Sequence, residues 1–153
     1  MIGIVVSRFN EEVTSRLLGS ALKTLKAGGI PSSSIKVVHV PGGYEIPWAA
    51  QELALSGRCQ VVIALGAIIK GETPQNEHIA RSTIQRLHDV ALSTRVPCLL
   101  GIVTCGNLRQ AMARAHGKMN RGREAASAAL EMLRLRRQLR RPRARREKNR
   151  HGP

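Results

Sequence analysis

One uninterrupted apolar segment limits the possible folds of this chain more than any other feature. Residues 61–69 read VVIALGAII, in which every residue except Gly66 carries an apolar side chain. A strand without a polar face suits a parallel sheet that helices cover on both sides. The segment is also far shorter than the roughly 20 apolar residues that a membrane-spanning helix requires. It therefore predicts a central strand of a globular α/β protein.

Apolar segments that predict strands alternate along the chain with amphipathic segments that predict helices. Strands are predicted at residues 1–6, 35–40, 61–69 and 97–104, and helices at 13–27, 48–55, 74–92, 108–115 and 122–135. Alternation with short connections favours one α/β domain at residues 1–135, with a four-stranded parallel sheet in a three-layer α/β/α sandwich. Ligands of such sheets bind at the carboxyl ends of the strands.

The positive charge is concentrated at the carboxyl end of the chain. Residues 134–153 hold ten Lys or Arg and one Glu, so the formal charge without them falls from +15 to +6. The segment at 136–153 starts as a basic helical extension, and after Pro142 it has no large apolar side chains to bury, which predicts a disordered tail. Binding of nucleic acid or another polyanion by this tail stays open at this point.

The chain lacks the signals of secreted, membrane and metal-dependent proteins. Its start, MIGIVVSRFN, has no basic segment before an apolar one, so we expect a soluble, cytoplasmic protein. Cys59, Cys98 and Cys105 form no CxxC pair and are interpreted as reduced, apolar filler. We expect no metal site.

Three loops at predicted strand ends carry residues that the scaffold does not need. They read SRFN from residue 7, PGGYEIP from residue 41 and KGETPQ from residue 70. The rings of Phe9 and Tyr44 could stack on a flat heterocycle, or they could cover the sheet edge. The carboxylate of Glu45 could bind hydroxyl groups beside Gly43, or it could stabilise a helix N-terminus.

The third loop and a later basic cluster together suggest a phosphate site. Glu72 and Thr73 precede a predicted helix, whose free N–H groups and the threonine hydroxyl could bind an anion. Arg114, Lys118 and Arg121 could supply the positive charge, although each could equally be a solvated surface cation.

Five segments occur in the order and spacing found in lumazine synthases: RFN, PGGYEIP, GAIIKGETP, GIVTC and NRGREAASAALEM. The chain resembles this family over residues 2–133. The resemblance implies a flavodoxin-like fold and condensation of 5-amino-6-(D-ribitylamino)uracil with 3,4-dihydroxy-2-butanone 4-phosphate, without a metal or organic cofactor. It also implies sites between the subunits of a pentamer, which in some members assembles into a 60-subunit shell.

The resemblance assigns roles to individual residues. Phe9, with Asn10 in the same motif, would stack on the pyrimidine, and Ile68 and Ile69 would line the ring pocket. Tyr44 and Glu45 would hold the ribityl chain beside the backbone of Gly43. The phosphate would be bound by Glu72, Thr73 and Arg114, with Lys118 and Arg121 as further candidates.

Several residues depart from the family pattern. Gln75 occupies the position of the proton-shuttling histidine and cannot carry a proton at neutral pH. We therefore consider His78, one helical turn later, as a substitute base and Glu124 as the matching acidic residue. Leu100 stands where a neighbouring subunit usually contributes an aromatic ring. The segment at 118–122 is one residue short, with Arg121 at the usual lysine.

Two other classes of function remain as alternatives. A shell or scaffold protein with weakened catalysis and a polyanion-binding tail would account for Gln75 and the basic carboxyl end. A flavodoxin-like electron carrier would fit the fold, but its first loop should be a Ser/Thr-rich phosphate nest, which SRFN is not.

Overall fold

The computed structural model describes residues 1–140, in which strands and helices alternate as far as β4 and two helices then follow. The strands are β1 (Ile2–Ser7), β2 (Ile35–Val40), β3 (Val61–Ile69) and β4 (Cys98–Cys105). The helices are α1 (Glu11–Ala27), α2 (Ile46–Leu55), α3 (Gln75–Thr94), α4 (Leu108–Ala113) and α5 (Arg121–Arg140). Short 3-10 turns lie at Ser32–Ser34, Gly43–Glu45 and Gly117–Met119.

The four strands form one parallel sheet in the order β2-β1-β3-β4. The segment singled out from the sequence, β3, is a central strand and is buried along nearly its whole length. Its neighbour β4 lies at one edge of the sheet and β2 at the other. The prediction of a four-stranded parallel sheet is confirmed.

Two apolar cores cover the two faces of the sheet. On one face α1 and α5 pack against Ile4, Ile63 and Leu65. On the other face α2 and α3 pack against Val5, Val62 and Ala64. Successive residues of a strand point to opposite faces, so β3 must be apolar at every position to serve both cores. The three-layer α/β/α sandwich is therefore confirmed.

Gly122 permits an unusually close approach of α1 and α5. A β-carbon at this position would lie 2.1 Å from the carbonyl oxygen of Leu17 on α1. Such a contact is impossible for any residue with a side chain. Gly122 therefore lets the start of α5 pack directly against α1, on the face of the sheet that these two helices cover.

Several observed helix boundaries differ from the expected ones, among them those of α2, α4 and α5. Helix α2 begins at Ile46, two residues before the predicted start, because Pro47 fits the first turn of a helix and does not end one. Helix α4 ends at Ala113, two residues early. Helix α5 continues to Arg140, five residues past the predicted end at 135, as expected for the basic helical extension. The expected disorder after Pro142 lies outside the described residues.

Candidate active site

Backbone hydrogen bonds hold the first two loops together at the carboxyl ends of β1 and β2. The N–H group of Arg8 donates to the carbonyl of Val40 at 2.8 Å, and that of Phe9 donates to Pro41 at 2.9 Å. Asn10 has left-handed backbone angles (φ 61°, ψ 47°) at the start of α1. Its Nδ2 donates to the carbonyl oxygen of Ala67 at 3.0 Å, which ties the first loop to β3.

Gly42 lets the ring of Phe9 rest against the second loop. A β-carbon on Gly42 would lie 2.6 Å from Cδ2 of Phe9, so only glycine allows this approach. The N–H group of Gly42 donates to Oε2 of Glu45 at 2.9 Å. The ring of Phe9 is thus supported on one side, while 65% of the residue remains exposed to a ligand.

A cavity of about 240 Å³ lies at the carboxyl ends of β1 and β3, and we call it the carboxyl-end cavity. Its lining combines one aromatic ring, apolar side chains, backbone and uncharged polar groups: Phe9, Asn10, Gly43, Ala67, Ile68, Ile69, Gly71, Thr73, Gln75, Asn76 and Ile79. None of these lining residues has an ionisable side chain. The cavity can therefore bind a flat polar ring, but within the described chain it offers no group that titrates.

The first turns of α3 determine which polar groups reach this cavity. Gln75, Asn76 and Ile79 line it, and Thr83, one turn further, donates a buried hydrogen bond of 3.1 Å to the carbonyl of Gly43. His78 lies on the exposed side of the helix and does not line the cavity. Gln75 and Asn76 of α3 therefore line the cavity, whereas the imidazole of His78 lies at the surface of the protomer.

A second cavity, of about 660 Å³, lies beside the edge strand β4, and we call it the β4-edge cavity. It is lined by residues of β4, α4 and the following turn: Leu100, Ile102, Val103, Thr104, Cys105, Gln110, Ala113, Arg114, Met119 and Arg121. Nη1 of Arg121 forms an ion pair with Oε2 of Glu124 at 2.8 Å, and both side chains are about half exposed. Two guanidinium groups give this cavity a positive lining suited to an anion.

The cysteines offer no reactive thiolate near these cavities. Burial raises the pKa of the Cys98 thiol to about 11. Burial also raises the pKa of the Cys105 thiol, in spite of opposing effects from the backbone of Asn107 and from Arg114. Both thiols therefore stay protonated at neutral pH, and a nucleophilic role does not fit them.

The comparisons with known proteins agree on one family. The family model described as 6,7-dimethyl-8-ribityllumazine synthase matches residues 1–137. A protein of that name from Salinibacter ruber is 47% identical over 133 residues, which is 86% of this chain and 85% of the relative. Another from Protochlamydia amoebophila is 44% identical over 139 residues, covering 90% of this chain and 81% of the relative.

The chain belongs to the 6,7-dimethyl-8-ribityllumazine synthase family. The resemblance inferred from five ordered motifs is therefore confirmed. Both cavities contain residues that the lumazine synthase resemblance implicates, so we consider the two cavities together.

The site residues expected from the lumazine synthase pattern fall into three groups in the protomer. Seven line the carboxyl-end cavity: Phe9, Asn10, Gly43, Ile68, Ile69, Thr73 and Gln75. Three line the β4-edge cavity: Leu100, Arg114 and Arg121. Six line neither of the two: Tyr44, Glu45, Glu72, His78, Lys118 and Glu124. No residue lines both cavities, so a single described protomer keeps the cationic phosphate candidates Arg114 and Arg121 apart from the ring-binding candidates, although Thr73 lies with the latter.

Sequence reasoning missed Asn76 and Ile79 as lining residues. Ile79 follows from the helical repeat, because a residue four positions after Gln75 lies on the same face of α3, whereas Asn76 does not, because adjacent helical residues point in different directions. His78, three residues on, was expected on the face of Gln75 but is exposed and does not line the cavity. The structure also gives Glu45 a local partner in the N–H group of Gly42, which agrees with its interpretation as a residue that stabilises a helix start.

The described residues contain no group of three or more His, Cys, Asp or Glu side chains that could hold a metal ion. None of the helices within residues 1–140 is both long and apolar enough to cross a membrane.

Proposed function

We propose that the protein is a transferase that condenses 5-amino-6-(D-ribitylamino)uracil with 3,4-dihydroxy-2-butanone 4-phosphate. The products are 6,7-dimethyl-8-ribityllumazine, phosphate and water. The observation that carries the proposal is the carboxyl-end cavity, where an exposed aromatic ring and two isoleucines border uncharged hydrogen-bonding groups. Membership of the family identifies the flat ring as the ribitylaminopyrimidine.

In this proposal the carboxyl-end cavity binds the heteroaromatic amine. Phe9 stacks on the pyrimidine, and such ring contacts contribute about 0.5 to 1.5 kcal/mol beyond burial. Ile68 and Ile69 form the apolar wall, while Tyr44 and Glu45 bind the ribityl hydroxyls beside Gly43. Tyr44 is 69% exposed, so its ring is free to meet a ligand that extends out of the cavity.

The phosphate is bound by Thr73 and the N-terminal turn of α3 together with Arg114 and Arg121. Glu72 precedes Thr73, Lys118 lies between Arg114 and Arg121 in sequence, and both complete the polar surroundings. Glu124 pairs with Arg121, so its role is to hold that guanidinium in place. The division of these residues between two cavities supports a site shared by two subunits, with Leu100 facing the neighbour's ring pocket.

The assembly we propose is therefore a homopentamer in the cytoplasm, with five sites at its interfaces. A 60-subunit shell built from twelve pentamers is the larger form of the same proposal. Leu100 and Met119, each 50% exposed beside Arg114 and Arg121, are apolar surface that contact with a neighbour would bury. Mass measurement in solution distinguishes a monomer, a pentamer and a shell.

Catalysis in this enzyme rests on positioning. A primary amine and a ketone react spontaneously once they are held together, and their orientation alone can remove several kcal/mol of the barrier. Gln75 can hold a reacting group by hydrogen bonding but cannot take its proton. Neither a metal nor an organic cofactor is required by this scheme. We therefore expect a catalysed rate that is low but above the spontaneous rate.

A direct assay tests the proposal. Purified protein is mixed with both substrates, product is followed by the absorbance or fluorescence of the lumazine, and the spontaneous rate is subtracted. A saturable acceleration that depends on both substrates is the expected result. A rate equal to the spontaneous background would reject the enzyme and favour the shell or scaffold alternative.

The basic carboxyl end supports a second, separate proposal of polyanion binding. Arg134, Arg137 and Arg140 lie exposed at the end of α5 and form no ion pair among the described residues. Deleting residues 134–153 should abolish salt-sensitive retention of RNA or DNA while sparing turnover. Retention that survives the deletion would exclude the tail as the cause.

A further inference from the structure

A buried threonine of α3 donates its hydrogen bond outside its own helix. Threonine side chains within helices commonly donate to the carbonyl four residues earlier. Thr24 on α1 and Thr94 on α3 do so, at 2.8 Å and 2.6 Å. Thr83 is 1% exposed, and its Oγ1 donates instead to the carbonyl oxygen of Gly43 in the second loop, at 3.1 Å. This hydroxyl therefore joins two elements that lie 40 residues apart in sequence.

The turn that Thr83 contacts begins with two glycines and has few other constraints. Gly42 and Gly43 lack β-carbons and have more backbone freedom than other residues. The other bonds of the turn are local: Gly42 donates to Oε2 of Glu45 at 2.9 Å, and Glu45 donates to the carbonyl of Gly42 at 3.3 Å. Among the described residues, Thr83 is the one hydrogen-bond partner that reaches residues 42–45 from outside the second loop and α2.

The conformation of this turn determines which groups a ligand of the carboxyl-end cavity meets. Gly43 lines the cavity and packs so closely against Ile68 that a β-carbon would lie 2.9 Å from its Cδ1. Tyr44 and Glu45 follow directly in the turn, and Tyr44 is 69% exposed. A rotation of the peptide between Gly43 and Tyr44 would move both side chains relative to the cavity. Thr83 restrains this peptide, because its hydroxyl binds the carbonyl oxygen of the peptide.

We propose that Thr83 is a positioning residue for recognition of the ribityl chain. Its hydroxyl fixes the carbonyl of Gly43 and, through this peptide, the direction in which Tyr44 and Glu45 meet the hydroxyls of the chain. Thr83 itself does not line the cavity and does not touch the amine. This inference rests on the proposed function, because the ribityl chain and its two binding residues are taken from it.

The decisive variant is Thr83→Val, which keeps the β-branched shape and removes the hydroxyl. The carbonyl of Gly43 keeps the N–H group of Ile46 as a donor, so no buried acceptor is left unpaired and the fold should hold. We expect the KM for the amine to rise about 5-fold, as for loss of one neutral hydrogen bond, with the KM for the phosphorylated ketone unchanged within about 2-fold.

Thr83→Ser separates the hydrogen bond from the packing of the side chain. Serine restores the donor and lacks the methyl group, so the KM for the amine should return to within about 2-fold of the parent. If Thr83 contributed by packing alone, the order would be reversed: Thr83→Val would behave like the parent and Thr83→Ser would be impaired.

Binding measurements test whether Thr83 acts on the ribityl chain. Calorimetric titration compares the amine with an analogue in which a methyl group replaces the ribityl chain, in the parent and in Thr83→Val. We expect the variant to lose about 5-fold in affinity for the amine and less than about 2-fold for the analogue. Unfolded protein would lower the stoichiometry and leave both dissociation constants unchanged, so a fold defect cannot produce this difference.

Thr24→Val is the matched control, because it removes a helical threonine hydroxyl whose bond stays within α1. It should change neither KM value. The inference is overturned if Thr83→Val leaves the KM for the amine within about 2-fold of the parent, if it weakens amine and analogue equally, or if Thr83→Ser behaves like Thr83→Val.

Failure of this inference is distinguishable from failure of the proposed function. If the parent accelerates the reaction and Thr83→Val binds the amine as the parent does, Thr83 is a structural residue and the enzyme assignment stands. If the parent neither binds the amine nor accelerates the reaction, the proposed function itself is rejected.

Discussion

The carboxyl-end cavity and the β4-edge cavity are built on neighbouring strands of one sheet, yet their linings differ in charge. The first is formed by an aromatic ring, isoleucines and amides, and no ionisable side chain lines it within the described chain. The second contains Arg114 and Arg121 beside the exposed face of Leu100. The arginines expected to bind a phosphate are thus separated on each protomer from the residues expected to bind a ring, whereas Thr73 lies among the latter.

This difference explains how one fold can serve a reaction between two chemically unlike molecules. A neutral lining binds a heterocycle without imposing charge on its amino group, which must stay unprotonated to attack a ketone. A cationic lining binds the phosphate of the partner molecule and stabilises it as a leaving group. In the proposed pentamer, joining the two linings across a subunit interface would place amine and ketone side by side only in the assembled protein.

Removal of the cation from the β4-edge cavity should have the largest effect. Arg114→Ala should lower kcat/KM roughly 100-fold, because hydrogen bonds to charged groups contribute about 1.5 to 3 kcal/mol. The loss should fall on the KM for the phosphorylated ketone and leave binding of the amine unchanged. Steady-state kinetics with each substrate varied in turn make the test, and Arg109→Ala, an exposed arginine of α4 outside the cavity, is the control.

Mixing two inactive variants tests whether the cavities combine between subunits. Phe9→Arg disables the carboxyl-end cavity and Arg114→Ala the β4-edge cavity. In randomly mixed oligomers about a quarter of the interfaces carry both intact halves, so activity should recover to about 25% of the parent, some 25-fold above either variant alone. Absence of recovery in oligomers shown by mass to be mixed would mean that each site is contained in one subunit.

The neutral lining of the carboxyl-end cavity can be given a titrating group. Gln75→His should raise kcat about 10-fold, below the 10²-fold or more of a tuned general base, because nothing in the cavity adjusts the new imidazole. The neutral imidazole is the proton acceptor, so the gain should be present above its usual pKa of about 6.5 and lost as the pH falls through it. A pH profile of kcat for both proteins measures this difference. A gain independent of pH would show that the histidine acts by positioning alone.

The sequence specified the sheet more completely than the site, for a physical reason. The burial of a strand such as Val61–Ile69 can be predicted from its residue types, because a strand covered on both faces must be apolar on both. The loop sequences indicate which residue types are available for chemistry but not where they lie. Phe9, Thr73 and Gln75 were identified from their types alone. The burial of the Asn76 amide oxygen and the position of His78 outside the cavity depend on the rotation of α3 about its axis, which its packing against α2, β4 and the turn Gly43–Glu45 determines. The separation of Arg114 from Thr73 likewise depends on tertiary placement.

A single methyl group should disturb the aromatic face of the carboxyl-end cavity. In Gly42→Ala the new β-carbon would lie 2.6 Å from Cδ2 of Phe9 and would displace the ring. The KM for the amine should rise about 5-fold, as for loss of roughly 1 kcal/mol of ring stacking. Gly19→Ala on α1, where a β-carbon meets no atom within 4 Å, should leave both KM values unchanged. If both variants behave alike, the ring of Phe9 does not contribute to binding.

The smallest effect is expected at His78, and it bears directly on the contrast between the cavities. If the proton transfer normally assigned to a histidine had moved to this residue, His78→Ala would lower kcat by about 10²-fold or more. His78 is exposed and does not line the carboxyl-end cavity, whereas Gln75 and Asn76 do. We therefore expect a change in kcat of less than about 2-fold and no change in the pH profile. The measurement is made on the assembled protein. A large loss of kcat in His78→Ala would show that a neighbouring subunit brings its substrate to this imidazole. The carboxyl-end cavity would then work with a titrating base.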